Sequence, residues 1–413
     1  MGVSQLHALG RNRKFYMVNE TTYGTFEEPD GSQITTGALA GSAGDYFTDR
    51  AINVTMTPGQ ERTPREDSKQ TRSHLELITG KKSGTWSVEA YAMPSGTAGN
   101  AGPLRALYAL ALGKEILPAD SGGTSGQVKY QLAASLADYE LKSLTLIQFF
   151  NDTFMEALTG CYVNTMTLSV SGGDQPRVTF DGESSGTYIP TSSSSTQGNA
   201  TAEVATATGS GTQFSVKSGE GKNFSVGSVI SVGGDPAVQV TAVAGDLLTV
   251  DSSVSFAQND TVVPSVPAQV LTGTPIAGIL GSLKLGPGAG VSIPITSFDV
   301  SVANNNKAIS DEAFVAGTSD YIPGIRDVTG TVTVRCSRDL AIQVGKRMSF
   351  ETQAIVVTCG DTAGSKLEIS IPQAEFEVTG VDTPTADEVM ISMPFRGLSS
   401  SESAEDEIKV TFK

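Results

Sequence analysis

Acid–base, nucleophilic or metal chemistry in this chain would draw on two histidines, His7 and His74, and three cysteines, Cys161, Cys336 and Cys359. It could also draw on neighbouring acids such as Asp311-Glu312 and Glu405-Asp406-Glu407. With so little histidine, no Ser–His–Asp set is credible, and no Cys pair forms the C-x-x-C spacing of a zinc or redox site. Adjacent carboxylates on a strand point to opposite faces, which defeats a shared cation or a glycosidase pair, and the EF-hand spacing is absent. Gly209-Ser210-Gly211-Thr212 and Gly286-Pro287-Gly288 lack the Lys-Ser/Thr of a phosphate loop. The cysteines read as free thiols packed as small apolar groups, and the lone Trp86 as a packing residue at a strand start. These residues point to no catalytic site, no metal and no cofactor, and so to a chain that is not an enzyme.

The elements behind these residues are β-strands. The 413 residues suffice for two or three domains. Gly, Ser, Thr and Val favour strands and turns. Charged residues make up 17%, below the typical value of about 25%, which reads as a surface that assembles. The net charge of −16 argues against nucleic-acid binding, which needs Lys and Arg at phosphates. The charge is also uneven. Arg50 to Lys82 carries seven bases and four acids, whereas Gly360 to Lys413 carries eleven acids and four bases. No apolar run is long enough to span a membrane and no signal-peptide pattern opens the chain.

One unit occurs twice. Ile52-Asn53-Val54-Thr55-Met56 alternates like a strand, and thirty positions past Val54 comes Gly84-Thr85-Trp86-Ser87-Val88-Glu89. Phe298-Asp299-Val300-Ser301-Val302 alternates likewise, and thirty positions past Val300 comes Gly330-Thr331-Val332-Thr333-Val334-Arg335. Between the paired strands run two long excursions, 57–82 (broken at Pro58-Gly59 and Pro64) and 303–327. Ala354–Thr358 followed by Gly360-Asp361-Thr362 echoes 144–150 followed by Asp152-Thr153, at an offset of 209 (361 − 152). The first copy holds the best helix, Leu104–Lys114, which starts after Pro103 and should lie against a sheet. The second has only Leu340–Arg347 in that place. Tyr162–Val170 and Arg177–Glu183 form a hairpin around Gly172-Gly173-Asp174. Residues 191–212 read as a linker, and 214–263 as a small barrel or sandwich inserted between the copies. The expected division is 1–190, a first β domain; 191–212, a linker; 213–266, the inserted domain; and 267–413, a second β domain.

The strand–loop–Gly-Thr-strand unit resembles the major tail tube proteins of tailed bacteriophages. So do Val328–Val334, Leu367-Glu368-Ile369-Ser370-Ile371-Pro372 with Ala374-Glu375-Phe376, Met393-Pro394-Phe395 and Val163–Val170. The inserted pieces Val226–Ile230 and Val240–Val243 carry the likeness further. The resemblance implies a mainly β fold: two tandem tail-tube-like β-sandwich or barrel domains, each flanked by a short helix, plus the inserted small β domain. It also implies a virion structural protein, made in the host cytoplasm and kept in the tail. Its rings stack into a tube that conducts DNA without specific binding. Single-copy members form hexameric rings, so a duplicated chain favours a trimer. Implied partners are other copies of the chain, the tape measure protein and the tail terminator and tip proteins. Asp181, Glu183, Glu375 and Glu377 are candidates for the lumen face. Arg62, Arg65, Lys69 and Arg72, on the first excursion, are candidates for ring stacking. A virion decoration or adhesin protein whose small domain grips a host surface is the alternative, and an extracellular β-rich hydrolase a third.

Overall fold

Period-two alternation is the force that shapes this chain. The computed structural model describes residues 13–413 apart from 28, 30, 31, 36, 40, 43, 50, 65–76, 134–137, 151–153, 189–200, 225, 227–228, 236–237, 266–268, 270, 277–280, 287–290, 294, 310–316, 336–351, 378–388 and 402–403. The first half contains β1 (Arg13–Asn19), β2 (Tyr46–Asp49), β3 (Asn53–Pro64), β4 (Leu77–Tyr91), α1 (Arg105–Leu112), β5 (Gly113–Ile116) and β6 (Val128–Leu132). It continues with β7 (Leu144–Phe150), β8 (Phe154–Ser171), β9 (Arg177–Ser184) and β10 (Gly186–Tyr188). An inserted unit follows: β11 (Ala202–Glu203), β12 (Gly209–Ser215), β13 (Val229–Val232), β14 (Val238–Ala244), β15 (Leu247–Phe256) and β16 (Thr261–Pro264). The second half contains β17 (Ser282–Leu285), β18 (Val291–Ile293), β19 (Ile295–Ala303), β20 (Lys307–Ile309), β21 (Asp320–Ile322) and β22 (Asp327–Arg335). It ends with β23 (Gln353–Cys359), β24 (Leu367–Phe376), β25 (Met390–Leu398) and β26 (Lys409–Phe412). The protein is mainly β, as expected.

The duplication is visible in the ladders. The first half pairs its strands in the order β3-β4-β9-β8-β7-β1-β2. The second repeats that order as β19-β22-β25-β24-β23-β17-β18. Both copies bulge at the same point, between Leu144 and Leu146 on β7 and between Gln353 and Ile355 on β23, at the offset of 209 (353 − 144). In the opening hairpin the copies match two residues away from the Gly-Thr echo. Val54 faces Val88 as Phe298 faces Val332, an offset of 244 (298 − 54; 332 − 88). Trp86 therefore takes the place of Gly330, and Gly84 that of Val328.

The halves are joined edge to edge. The C-terminal part of β8 pairs with β9 on one side and with β19 on the other, Leu168 facing Val300. A single apolar core runs from Phe15 to Phe412 through both halves, so the expected tandem domains share one interior. α1 is buried at every position and packs against β5, β6 and β8. The counterpart expected at Leu340–Arg347 lies outside the described residues. β6 pairs with the C-terminal strand β26, a second tie between the halves.

β3 runs through Pro58-Gly59 to Pro64 instead of breaking there, and with β4 makes a long two-stranded arm. Proline is tolerated because β3 has one ladder partner among the described strands, which leaves one row of its N–H groups without a ladder bond there. The inserted unit has a separate core around Phe214, Val240, Leu248 and Phe256. β11 and the start of β12 fall within the stretch read as linker. Ala202 faces Val262, so the chain enters and leaves this unit side by side.

Candidate functional site: one polar face and its open edge

The strands that build the shared core also present its reverse face. Val54, Trp86, Val88, Phe180, Met166, Leu168, Phe298, Val300, Val332 and Phe395 point inward. Alternation then sends their neighbours outward. Following ladder partners across eight strands gives one unbroken outward row. It runs Asn53, Glu89, Thr179, Thr167, Ser301, Thr329, Arg396 and Glu375. Thr and Ser predominate, and Thr167 donates to Ser301 at 3.4 Å in the middle of the row. Acids outnumber bases on this face: Glu89, Asp181, Glu183, Asp299, Asp327, Glu375 and Glu377 against Arg177, Arg335 and Arg396. Arg177 pairs with Glu89 at 3.0 Å and Arg396 with Asp327, while burial lifts the Asp299 carboxyl above its usual range.

All four carboxylates singled out from the sequence lie on this face. Asp181 stands opposite Ser87 and Thr165. Glu183 accepts a 2.7 Å hydrogen bond from the Tyr162 hydroxyl. Glu375 stands opposite Arg396, and Glu377 follows it with its N–H on the Pro394 carbonyl. Of the four basic candidates, Arg62 is exposed on the arm, opposite Thr79. Arg65, Lys69 and Arg72 lie outside the described residues.

The second excursion folds back on the first half. Its hairpin β20–β21 carries Tyr321, which stacks on Tyr162 with ring centroids 4.3 Å apart and donates to the Lys142 carbonyl at 2.8 Å. At the offset of 244, Tyr321 corresponds to Leu77 and Ile322 to Ile78. Leu77 and Ile78 are 52% and 56% exposed on the arm. Tyr321 is buried against the first half whereas its counterpart Leu77 is exposed; Ile322, at 54%, is as open as Ile78. Among the described strands β3 has no partner besides β4, whereas β19 pairs with β8 as well as β22.

Sequence reasoning missed two buried polar hubs. Arg105, at the start of α1, forms an ion pair with Glu115 in which both side chains are 2% exposed. The Tyr130 hydroxyl also donates to Glu115 at 2.8 Å, and Arg105 reaches the Gly37 carbonyl at 2.6 Å. Burial pushes Glu115 up, opposed by Arg105 and Tyr130. Glu20 gathers the Gly24 and Gly160 N–H groups and the Ser143 and Thr145 hydroxyls at 2.6–3.0 Å, locking the 20–25 turn onto β7 and β8. Burial raises Glu20 against those four donors. Neither hub has a local motif, because each joins residues far apart in the chain.

Cys161 and Cys359 are buried free thiols, and Cys336 lies outside the described residues. Among the described residues no three His, Cys, Asp or Glu side chains form a metal-sized group, and no helix is long and apolar enough to cross a membrane. Comparison with known protein families and with characterised proteins finds no family model and no relative that matches this chain.

Proposed function

We propose that the protein is a structural subunit of a phage tail tube. Three copies form a pseudo-hexameric ring, rings stack, and the lumen conducts DNA. One relationship carries this reading. What β8 does for β19 inside the chain, no described strand does for β3. The copies run antiparallel throughout, so a strand of the β8 type from a second chain meets β3 in the correct direction. Head-to-tail pairing of this kind leaves no free edge once a ring closes. The positions of the second half that match the paired part of β8, 378–384 at an offset of 213 (371 − 158), lie outside the described residues.

Two further features support it. The Thr- and Ser-rich, net acidic face suits a wall past which a polyanion slides, since it offers few cations to phosphate. The exposed Leu77 is the counterpart of Tyr321, a side chain already covered once within the chain. Assembly would occur in the host cytoplasm, with the tape measure and the terminator and tip proteins as further partners by resemblance. The inserted unit stands on its own core, which fits a position on the tube exterior. Electron microscopy of the concentrated pure protein tests the proposal. Stacked rings of three chains are expected, and a protein that stays monomeric at millimolar concentration overturns it.

A further inference from the structure

A cleft of about 350 Å³ opens where the halves meet, and its lining includes Tyr139, Asn304, Ile325, Arg326, Glu405 and Glu407. Asn304 is 2% exposed, and its amide nitrogen donates to the Ala111 and Val163 carbonyls at 2.9 and 3.3 Å. Those two bonds fix the amide orientation, so the side-chain oxygen is the atom left over, and it has no partner. A buried oxygen of Glu407 has none either. An unpaired buried acceptor costs about 1–3 kcal/mol, more when charged, so two in one cleft call for a donor.

The charge count defines that donor. Arg326 pairs with Glu405 and donates to the Ala133 carbonyl at 3.0 Å. Glu405, Glu407 and Arg326 sum to −1. Arg326 is committed to Glu405 and would repel a dication, whereas calcium needs six to eight oxygens. A monovalent group rich in N–H donors matches both the charge and the bare acceptors. Asn305, between two cleft residues, and Glu405 both hold left-handed backbone, with φ of 50° and 45°, which Asn adopts readily and Glu less so.

We propose that this cleft is a receptor for one guanidinium or primary ammonium group, seated between Glu407 and the Asn304 oxygen. The observation is independent of tube assembly. The group could be a Lys or Arg side chain of a second copy or a free amine.

Calorimetric titration with Nα-acetyl-arginine methylamide, Nα-acetyl-lysine methylamide and the uncharged citrulline analogue tests the class. Saturable binding of the charged probes is expected, at least tenfold weaker for citrulline and for Glu407→Gln. Ile325→Lys places a tethered ammonium at the rim from a residue that is 87% exposed, so it leaves the fold intact and should displace the probes. Equal binding by citrulline, equal binding to both variants, tighter binding of calcium alone, or no saturable binding overturns the proposal. Sedimentation then separates the sources. A tenfold loss of self-association in Glu407→Gln assigns the group to a second copy. Unchanged self-association with probe binding intact assigns it to a free amine. Tubes that form without any probe binding leave the assembly reading standing and sink this one.

Discussion

Trp86 stands directly across the ladder from Gly182, and nothing larger than hydrogen fits beneath its indole. A Cβ on Gly182 would lie 2.7 Å from the ring and 1.9 Å from the Tyr162 carbonyl oxygen. The matching pair in the second half is reversed. Gly330 now sits on the Trp86 strand and Phe395 on the other, with a Gly330 Cβ 2.5 Å from the Phe395 ring and 2.3 Å from the Asp299 carbonyl. Large and small have traded places across one equivalent rung. Gly182→Ala and Gly330→Ala should each cost about 3 kcal/mol or more, because the obstructing atoms include backbone. Gly211→Ala, with no contact nearer than 3.9 Å, should stay within about 0.5 kcal/mol. Denaturant unfolding of the three variants checks this.

The Arg105–Glu115 pair lies under α1 beside the ring cluster of Tyr108, Tyr130 and Phe412. Removing one partner strands a buried charge. Arg105→Met and Glu115→Leu should each lose about 3–5 kcal/mol, and the double variant Arg105→Met/Glu115→Leu should recover much of it. A thermal double-mutant cycle measures the recovery. An additive double variant would show that the pair is not coupled.

Glu140 is pushed up to about 7 by burial, reinforced by the negative charge of Glu115. The folded protein therefore holds a proton that the unfolded chain releases near the ordinary carboxylate value of 4.5. The resulting stabilisation is fully present below that value and lost as pH rises through 7. The group is half exposed, so solvent screening reduces the effect to about 1 kcal/mol. Glu140→Gln should flatten the difference in melting temperature between pH 5 and pH 8 relative to the native chain.

Leu77 and Ile78 touch little within the chain. Leu77→Ser/Ile78→Ser should change monomer stability by no more than about 0.5 kcal/mol while reducing assembly at least tenfold, read by sedimentation. Unimpaired assembly would remove the arm from the contact.

The inserted unit has its own core and adjacent ends, so replacing 201–265 with a short Gly-Ser linker should leave the remaining protein folded. Circular dichroism of the shortened chain, and of 201–265 alone, gives two independent melts if this is right.

Much of the architecture was legible because alternating Val and Thr carry a face assignment with every second residue. Val300, Ser301 and Val302 announce inside, outside, inside before any partner is known. The registration of the copies was less legible. The Gly-Thr pairs at 84 and 330 echo in sequence, but hydrogen-bond register answers to packing, and Trp86 displaced its rung by two. Pro58 looked like a stop because proline lacks an N–H, a loss that matters only where a neighbour needs that donor. Ala202 and Val204 looked like linker because small residues acquire a core only from partners such as Phe214 and Val262, which follow later. The four carboxylates on the polar face were found by parity alone. Asn304 and Glu407 were not, since an acceptor without a donor leaves no trace in composition.

The reversed rung has an evolutionary corollary. A β unit encoded once and used in several copies must accept every substitution in all of them. Here each half is spelled out by its own codons, so a glycine in one can be answered by an aromatic in the other without the change being copied into both. Such a chain can tailor the packing of its two halves on separate schedules.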